Sequence, residues 1–210
     1  MKKNNPSLPE LPALTEGFFD VEEEALFENL QFNSQDISYQ TADNIAVRSS
    51  HLDHVIFHKT RLDHLDISNT IFDHCDFSNA EMFGGSFHRV LFKNCKLTGT
   101  NFADSYFRDC LFDDCLGDFS SFSSTNLKVV TFENCQLPQS EFFESTWRHL
   151  KLINCNLDDS NWFRTKLSGL DFSSNSFQKI ALSQELLKGL KVNQEQAIVI
   201  AAGLGLVIEE

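Results

Sequence analysis

The chain has little that breaks a backbone and a shortage of positive charge. Only 4 prolines and 9 glycines occur in 210 residues, and three of the prolines fall within the first twelve. That leaves little material for long loops. No apolar run approaches the ~20 residues that cross a bilayer. No apolar stretch follows Met1-Lys2-Lys3-Asn4-Asn5-Pro6, so no secretory leader is legible and a cytoplasmic protein is expected. Lys and Arg number 17 against 30 Asp and Glu, a formal net charge of −13. This argues against direct nucleic-acid binding, which selects clustered Lys and Arg. An acidic protein meets basic partners instead. The six cysteines form no Cys-x-x-Cys pair, so free thiols are expected in a reducing compartment.

The acidity is uneven. Residues 1–36 hold 8 acidic and 2 basic residues, 37–182 hold 18 and 13, and 183–210 hold 4 and 2. The bulk of the chain is therefore only mildly acidic.

What is in excess is phenylalanine: 21 residues, beside 2 Tyr and 2 Trp. Stepping by five from Phe27 explains the excess. The series runs through Phe32, Ile37, Ala42 and Val47 to Phe172, Phe177 and Leu182 without a slip of phase. Of its 32 positions only Ala42 and Gly117 are not large and apolar, and it contains 15 of the Phe. Two residues before each member stands a side chain that is mostly small, and all six cysteines lie there: Cys75, Cys95, Cys110, Cys115, Cys135 and Cys155. The residue between is often Asp or Asn, as at Asp66, Asp76, Asn101, Asn126, Asn156, Asn161 and Asp171.

Residues two apart in an extended chain point the same way. The large and the small residue therefore point inward, the one between points outward, and the next two turn a corner. Five of the cysteines (75, 95, 115, 135, 155) are spaced by 20, and the surrounding motifs recur with them. Twenty residues thus make one coil with four sides. Eight such coils, stacked at about 4.8 Å, form a rod of roughly 38 Å. Each coil contacts only its neighbours. The expected fold is an all-β β-helix over residues 27–182, between an acidic N-terminal segment (1–26) and a C-terminal tail (183–210).

The recurring pattern small–Asp/Asn–Leu/Phe–Ser/Thr–any, as in Ala80-Glu81-Met82, Thr100-Asn101-Phe102, Thr125-Asn126-Leu127 and Ser160-Asn161-Trp162, resembles the pentapeptide-repeat family. The resemblance covers about three quarters of the chain and implies a right-handed quadrilateral β-helix. Such a fold does not by itself assign a function.

The two ends are read separately. Pro6, Pro9 and Pro12 suggest a poorly ordered start, with Thr15 as the N-cap of a short helix through Glu24 that covers the first coil. At the other end, Asn193 is an N-cap for a helix from Gln194 to Ala202, ended by Gly203 or Gly205. Leu206-Val207-Ile208 then reads as a short strand. Ile198, Ile200, Ala201, Leu204, Leu206 and Ile208 are too many apolar side chains for a free tail. They are expected to cover the last coil and to form a homodimer interface.

Leu187-Lys188-Gly189-Leu190-Lys191-Val192, Gln196 and Leu204-Gly205-Leu206-Val207-Ile208 resemble the C-terminal segment of the quinolone-resistance (Qnr) group. That resemblance implies dimerisation through the tail. It also implies binding to DNA gyrase or topoisomerase IV as a mimic of duplex DNA, which lessens quinolone action. The row Asp53, Asp73, Asp113, Glu133 is then the partner-facing acidic surface. Two features depart from the group: the register has no inserted loop, and Lys93 and Lys96 interrupt the acidic row. The alternative is a protein–protein scaffold or regulator with another partner, and a charge map separates the two. One continuous acidic face favours mimicry, and a patchwork favours the scaffold.

No catalytic constellation is legible. Asp113–Asp114 and Asp158–Asp159 are adjacent carboxylates on a convex side, where catalysis wants convergent groups in a concavity. His54 and His74, 20 apart, stack on one face but lack the further ligands a metal requires. The reading is therefore of no enzyme, no cofactor and no metal. Gly117 leaves a gap in the apolar column, and Leu116 is expected to turn inward to fill it.

Overall fold

The computed structural model describes residues 5–209. The expectation about a leader at Met1–Pro6 therefore lies largely outside it. From residue 24 onward the chain winds as a parallel β-solenoid, the four-sided β-helix expected from the period. Every strand pair of the solenoid is parallel, and all but the first, Thr15–Glu16 with Leu30–Gln31, are offset by 20 residues, as in Phe107↔Leu127 and Phe112↔Phe132.

The four sides are called A to D in chain order, after their central inward residues: A begins at Phe27, B at Phe32, C at Ile37 and D at Ala42. Sides A and B share five long strands that run across their common corner: Asp66–Asp73, Ser86–Lys93, Tyr106–Asp113, Asn126–Glu133 and Thr146–Ile153. Sides C and D are stitched mainly by single bridges such as Asp76↔Lys96 and Glu81↔Asn101.

The core is a set of aromatic stacks one coil apart. On side B the Phe72–Phe92, Phe92–Phe112 and Phe112–Phe132 ring centroids lie 5.0, 4.6 and 4.5 Å apart with nearly parallel planes. On side D the stack Phe102–Phe122–Phe142 ends on Trp162, 4.2 Å from Phe142. The small inward positions hold the coils together by hydrogen bonds. All six cysteines are buried and free. Each thiol donates to a backbone carbonyl of the coil below, for example Cys95 Sγ to Phe72 O at 3.4 Å. Burial pushes the Cys110 thiol up to about 12. Several of the Asp and Asn residues between the two inward residues have a task as well: the carboxyl or amide oxygen accepts the backbone N–H two residues on. Asp76–Ser78, Asn101–Ala103 and Asp171–Ser173 do so at 2.9–3.0 Å.

Three local expectations are corrected. No helix starts at Thr15. Thr15–Glu16 is a strand paired in parallel with Leu30–Gln31, because the open edge of the first coil leaves backbone groups that only a strand can satisfy. Phe19 follows it into the end of the core, stacked 4.5 Å from Phe27. Leu206–Ile208 forms no strand. Leu116 stays 46% exposed. The place above Gly117 is filled by Leu137 of the next coil, whose Cδ2 lies 2.8 Å from where a Cβ would stand.

The proline-bearing start is also ordered. Residues 5–14 run lengthwise along the A–B corner. The Ser7 N–H donates to Asp109 Oδ1 at 3.4 Å, and Asn69 bonds both the N–H and the C=O of Glu10, at 3.0 and 2.8 Å. The Lys151 ammonium reaches Asn5. Residues 5 to 15, at about 3.1–3.3 Å each, cover the roughly 29 Å that six coils span.

The far end is closed by the helix Gln194–Gly203. Asn193 and Gln196 form a complete capping box. The buried Gln196 amide also donates to Phe172 O and Asn175 O at 2.8 and 2.7 Å, satisfying carbonyls of the last coil. Gly205, at φ +90°, ends the helix.

Candidate functional site

Outward side chains of a coil repeat at one height per turn, so identical register means a straight row on the surface. Asp53, Asp73, Lys93, Asp113 and Glu133 share one register on side B. Four of the five are the predicted acidic surface residues, and the row ends at Ile153. Lys93 sits within it, its ammonium 3.8 Å from Asp73. Lys96 does not: it lies around the next corner on side C, 3.6 Å from Asp76. Burial, with Asp114 and Glu133 close by, raises the Asp113 carboxyl above its usual range.

The charge is sorted by side. Side B carries Asp53, Asp73, Asp113, Asp114, Glu133 and Asp171 against Lys93 and Lys151. Side D carries Asp43, Asp63, Glu81, Asp104, Glu141 and Glu144 against Arg61 and Arg164. On side C, Asp36, Asp76, Asp118, Asp158 and Asp159 face Lys59, Lys96 and Lys179. Side A has the opposite sign, with Arg48, Arg89, Arg108, Lys128, Arg148 and Lys166 against Glu28, Asp66 and Asp109. The surface is therefore a patchwork of faces.

Of the adjacent carboxylate pairs, Asp158–Asp159 serves the fold. Asp158 accepts the N–H groups of Gln178 and Lys179 at 2.8 and 3.0 Å, and Asp159 pairs with Lys179 at 2.7 Å. One surface recess, lined by Gln136, Asn154, Asn156, Asp158 and Gln196 among others, contains amides and carboxylates but no histidine, cysteine or cation. His54 and His74 stack as expected, their rings 4.9 Å apart and 2° from parallel. With Asp53 they are the one group of potential metal ligands within 4.8 Å of one another among the described residues. The His54 imidazole is already bonded to Asp53 at 2.9 Å.

Of the predicted interface residues, Ile200 packs against the core. Ile198, Leu204, Leu206 and Ile208 are exposed, at 42–63%, and Ala201 is half-buried.

In sequence, residues 85–162 match the pentapeptide repeat region family. That segment is a pentapeptide-repeat region. The same five-residue corner continues on both sides of the matched segment, from residue 24 to residue 169. Among solved pentapeptide-repeat structures the chain is similar to full-length QnrB1, a plasmid-mediated fluoroquinolone resistance protein, at 14% identity. That match covers 88% of this chain and 92% of QnrB1, with a TM-score of 0.39. It is also similar to HetL, a pentapeptide-repeat protein involved in heterocyst differentiation regulation from the cyanobacterium Nostoc, at 13% identity. There the coverage is 80% and 87%, with a TM-score of 0.26. No curated protein matches the chain. Among the described residues no helix is long and apolar enough to cross a membrane.

The sorting of charge by side was not legible residue by residue. The signal lay in the 20-residue offset, applied to the outward positions as well as the inward ones.

Proposed function

We propose that this protein is a non-enzymatic scaffold that binds protein partners through its flat sides. The observation that carries this reading is the sorting of charge onto separate sides of a filled rod. Partners with a basic surface meet sides B and D, and the row Asp53, Asp73, Asp113, Glu133 is the contact on side B. The test is capture of partners with the wild type and with Asp113→Lys/Glu133→Lys, both checked for an unchanged melting curve. At least one partner should be lost from the variant. A full set of partners indifferent to that reversal would remove side B from the function.

The exposed Ile198, Leu204, Leu206 and Ile208 support homodimerisation through the tail. Sedimentation should give a dimer for the wild type and a monomer for Ile198→Asp/Leu206→Asp. A wild-type monomer at high concentration would refute the interface.

A second reading makes the rod a duplex-DNA mimic that binds DNA gyrase or topoisomerase IV. The straight acidic row favours it. Lys93 within that row, and the cationic side A, count against it, because a mimic needs continuous negative charge. The scaffold is the preferred reading.

A further inference from the structure

The cations of side A gather in its upper half. From the fourth coil to the eighth, the outward side chains include Arg89, Arg108, Lys128, Arg148 and Lys166, with His88 and His149, and one carboxylate, Asp109. His88, Arg108, Lys128 and Arg148 occupy a single register. Each successive coil therefore projects a cation or an imidazole, about 4.8 Å from the next. The row on the other edge of the same strands is uncharged: Ser86, Tyr106, Asn126 and Thr146.

Asp109 offsets only the lower end of this stripe. One of its oxygens accepts the Ser7 N–H. The other lies 3.5 Å from Arg108 and 4.0 Å from His88. Among the described residues no carboxylate comes within the 4.0 Å that the Asp109–His88 pair reaches of Arg89, Lys128, Arg148 or Lys166. Burial, together with Arg108 and Arg89, holds the His88 imidazole below its ordinary pKa, in keeping with a positive local field.

We propose that this stripe binds an acidic segment of a partner protein, laid lengthwise along side A. Charge spacing selects that ligand. Duplex DNA carries one negative charge per ~1.7 Å, far denser than one cation per ~4.8 Å coil. Same-facing residues of an extended peptide recur every ~6.6–6.8 Å, a charge spacing nearer to that of the stripe than duplex DNA has. Acidic sides B and D and the net charge of −13 also repel a dense polyanion. The chain's own residues 5–14 lie lengthwise on the neighbouring corner, bonded through Asn69 and Asp109, so an extended segment in this direction fits the surface. This inference concerns a different side from the acidic row and stands apart from it.

The test uses the full chain and a fluorescein-labelled peptide alternating Glu and Ser, read by fluorescence anisotropy at low and at physiological ionic strength. Saturable binding that weakens with salt is expected. Arg108→Glu/Lys128→Glu/Arg148→Glu should weaken it about tenfold or more, as three charge contacts turn repulsive. Lys59→Glu/Lys96→Glu/Lys179→Glu on side C changes the net charge equally and should leave most of the affinity. If the first variant melts early, Lys128→Ala and Arg148→Ala replace it. Three results overturn the proposal: no saturable binding by the wild type, equal loss in both triple variants, or tighter binding of a single-stranded oligonucleotide of equal charge.

Discussion

Every fifth residue from Glu24 to Gly169 stands in the left-handed backbone region, and 27 of the residues with positive φ are not glycine. Fifteen of them are Asn, Asp or His, the residues that tolerate this region best. This turns a five-residue sequence period into a corner. Val129, at φ +56°, is the one β-branched residue among them, and such a side chain is a genuine outlier there. Val129→Asn should therefore raise the stability by about 1 kcal/mol, the lower end of the cost of an L-residue in this region. Chemical denaturation would measure it; an unchanged or lowered midpoint would mean that the valine has a packing role greater than its strain. The inward residues were legible because one apolar column tolerates few alternatives. The corners were not, because their preference is shared among Asn, Asp, His, Ser and Gly. Gly117 was misread for a related reason: the side chain that fills its place, Leu137, comes from the next coil.

At the scale of elements, the repeat was legible and the ends were not. The coils are specified by short-range spacing, each strand pairing 20 residues away. The ends depend on particular long-range partners. Asn69 and Asp109 order residues 5–14 from 59 and 102 residues away, and nothing local to Pro6, Pro9 and Pro12 announces them. Thr15–Glu16 became a strand because tertiary pairing overrode a plausible local cap. The C-terminal helix was found because its capping box is local. Its wider role was missed, since the Gln196 amide bonds carbonyls 24 and 21 residues back. Gln196→Ala takes the side-chain donor from the Asn175 carbonyl and one of two donors from the Phe172 carbonyl, which keeps the Asn175 N–H, and should cost about 1–3 kcal/mol. Hydrogen exchange should place the loss in the last coil rather than across the rod, as nearest-neighbour stacking requires. Uniform loss of protection would show instead that the rod unfolds as one unit.

For the whole molecule, the fold follows from the inward residues and the function from the outward ones. A fully buried core of stacked phenylalanines leaves four sides free to vary, and this chain has made one of them cationic. That asymmetry separates a scaffold from a stand-in for DNA. Supercoiling by purified gyrase, followed across a concentration series of the folded protein with and without ciprofloxacin, tests the difference most directly. A scaffold with other partners should leave both the supercoiling and its inhibition by the drug unchanged. Relief of the drug at low protein, or inhibition of supercoiling at high protein, abolished by Asp113→Lys/Glu133→Lys, would contradict it and make the acidic row a topoisomerase-binding surface.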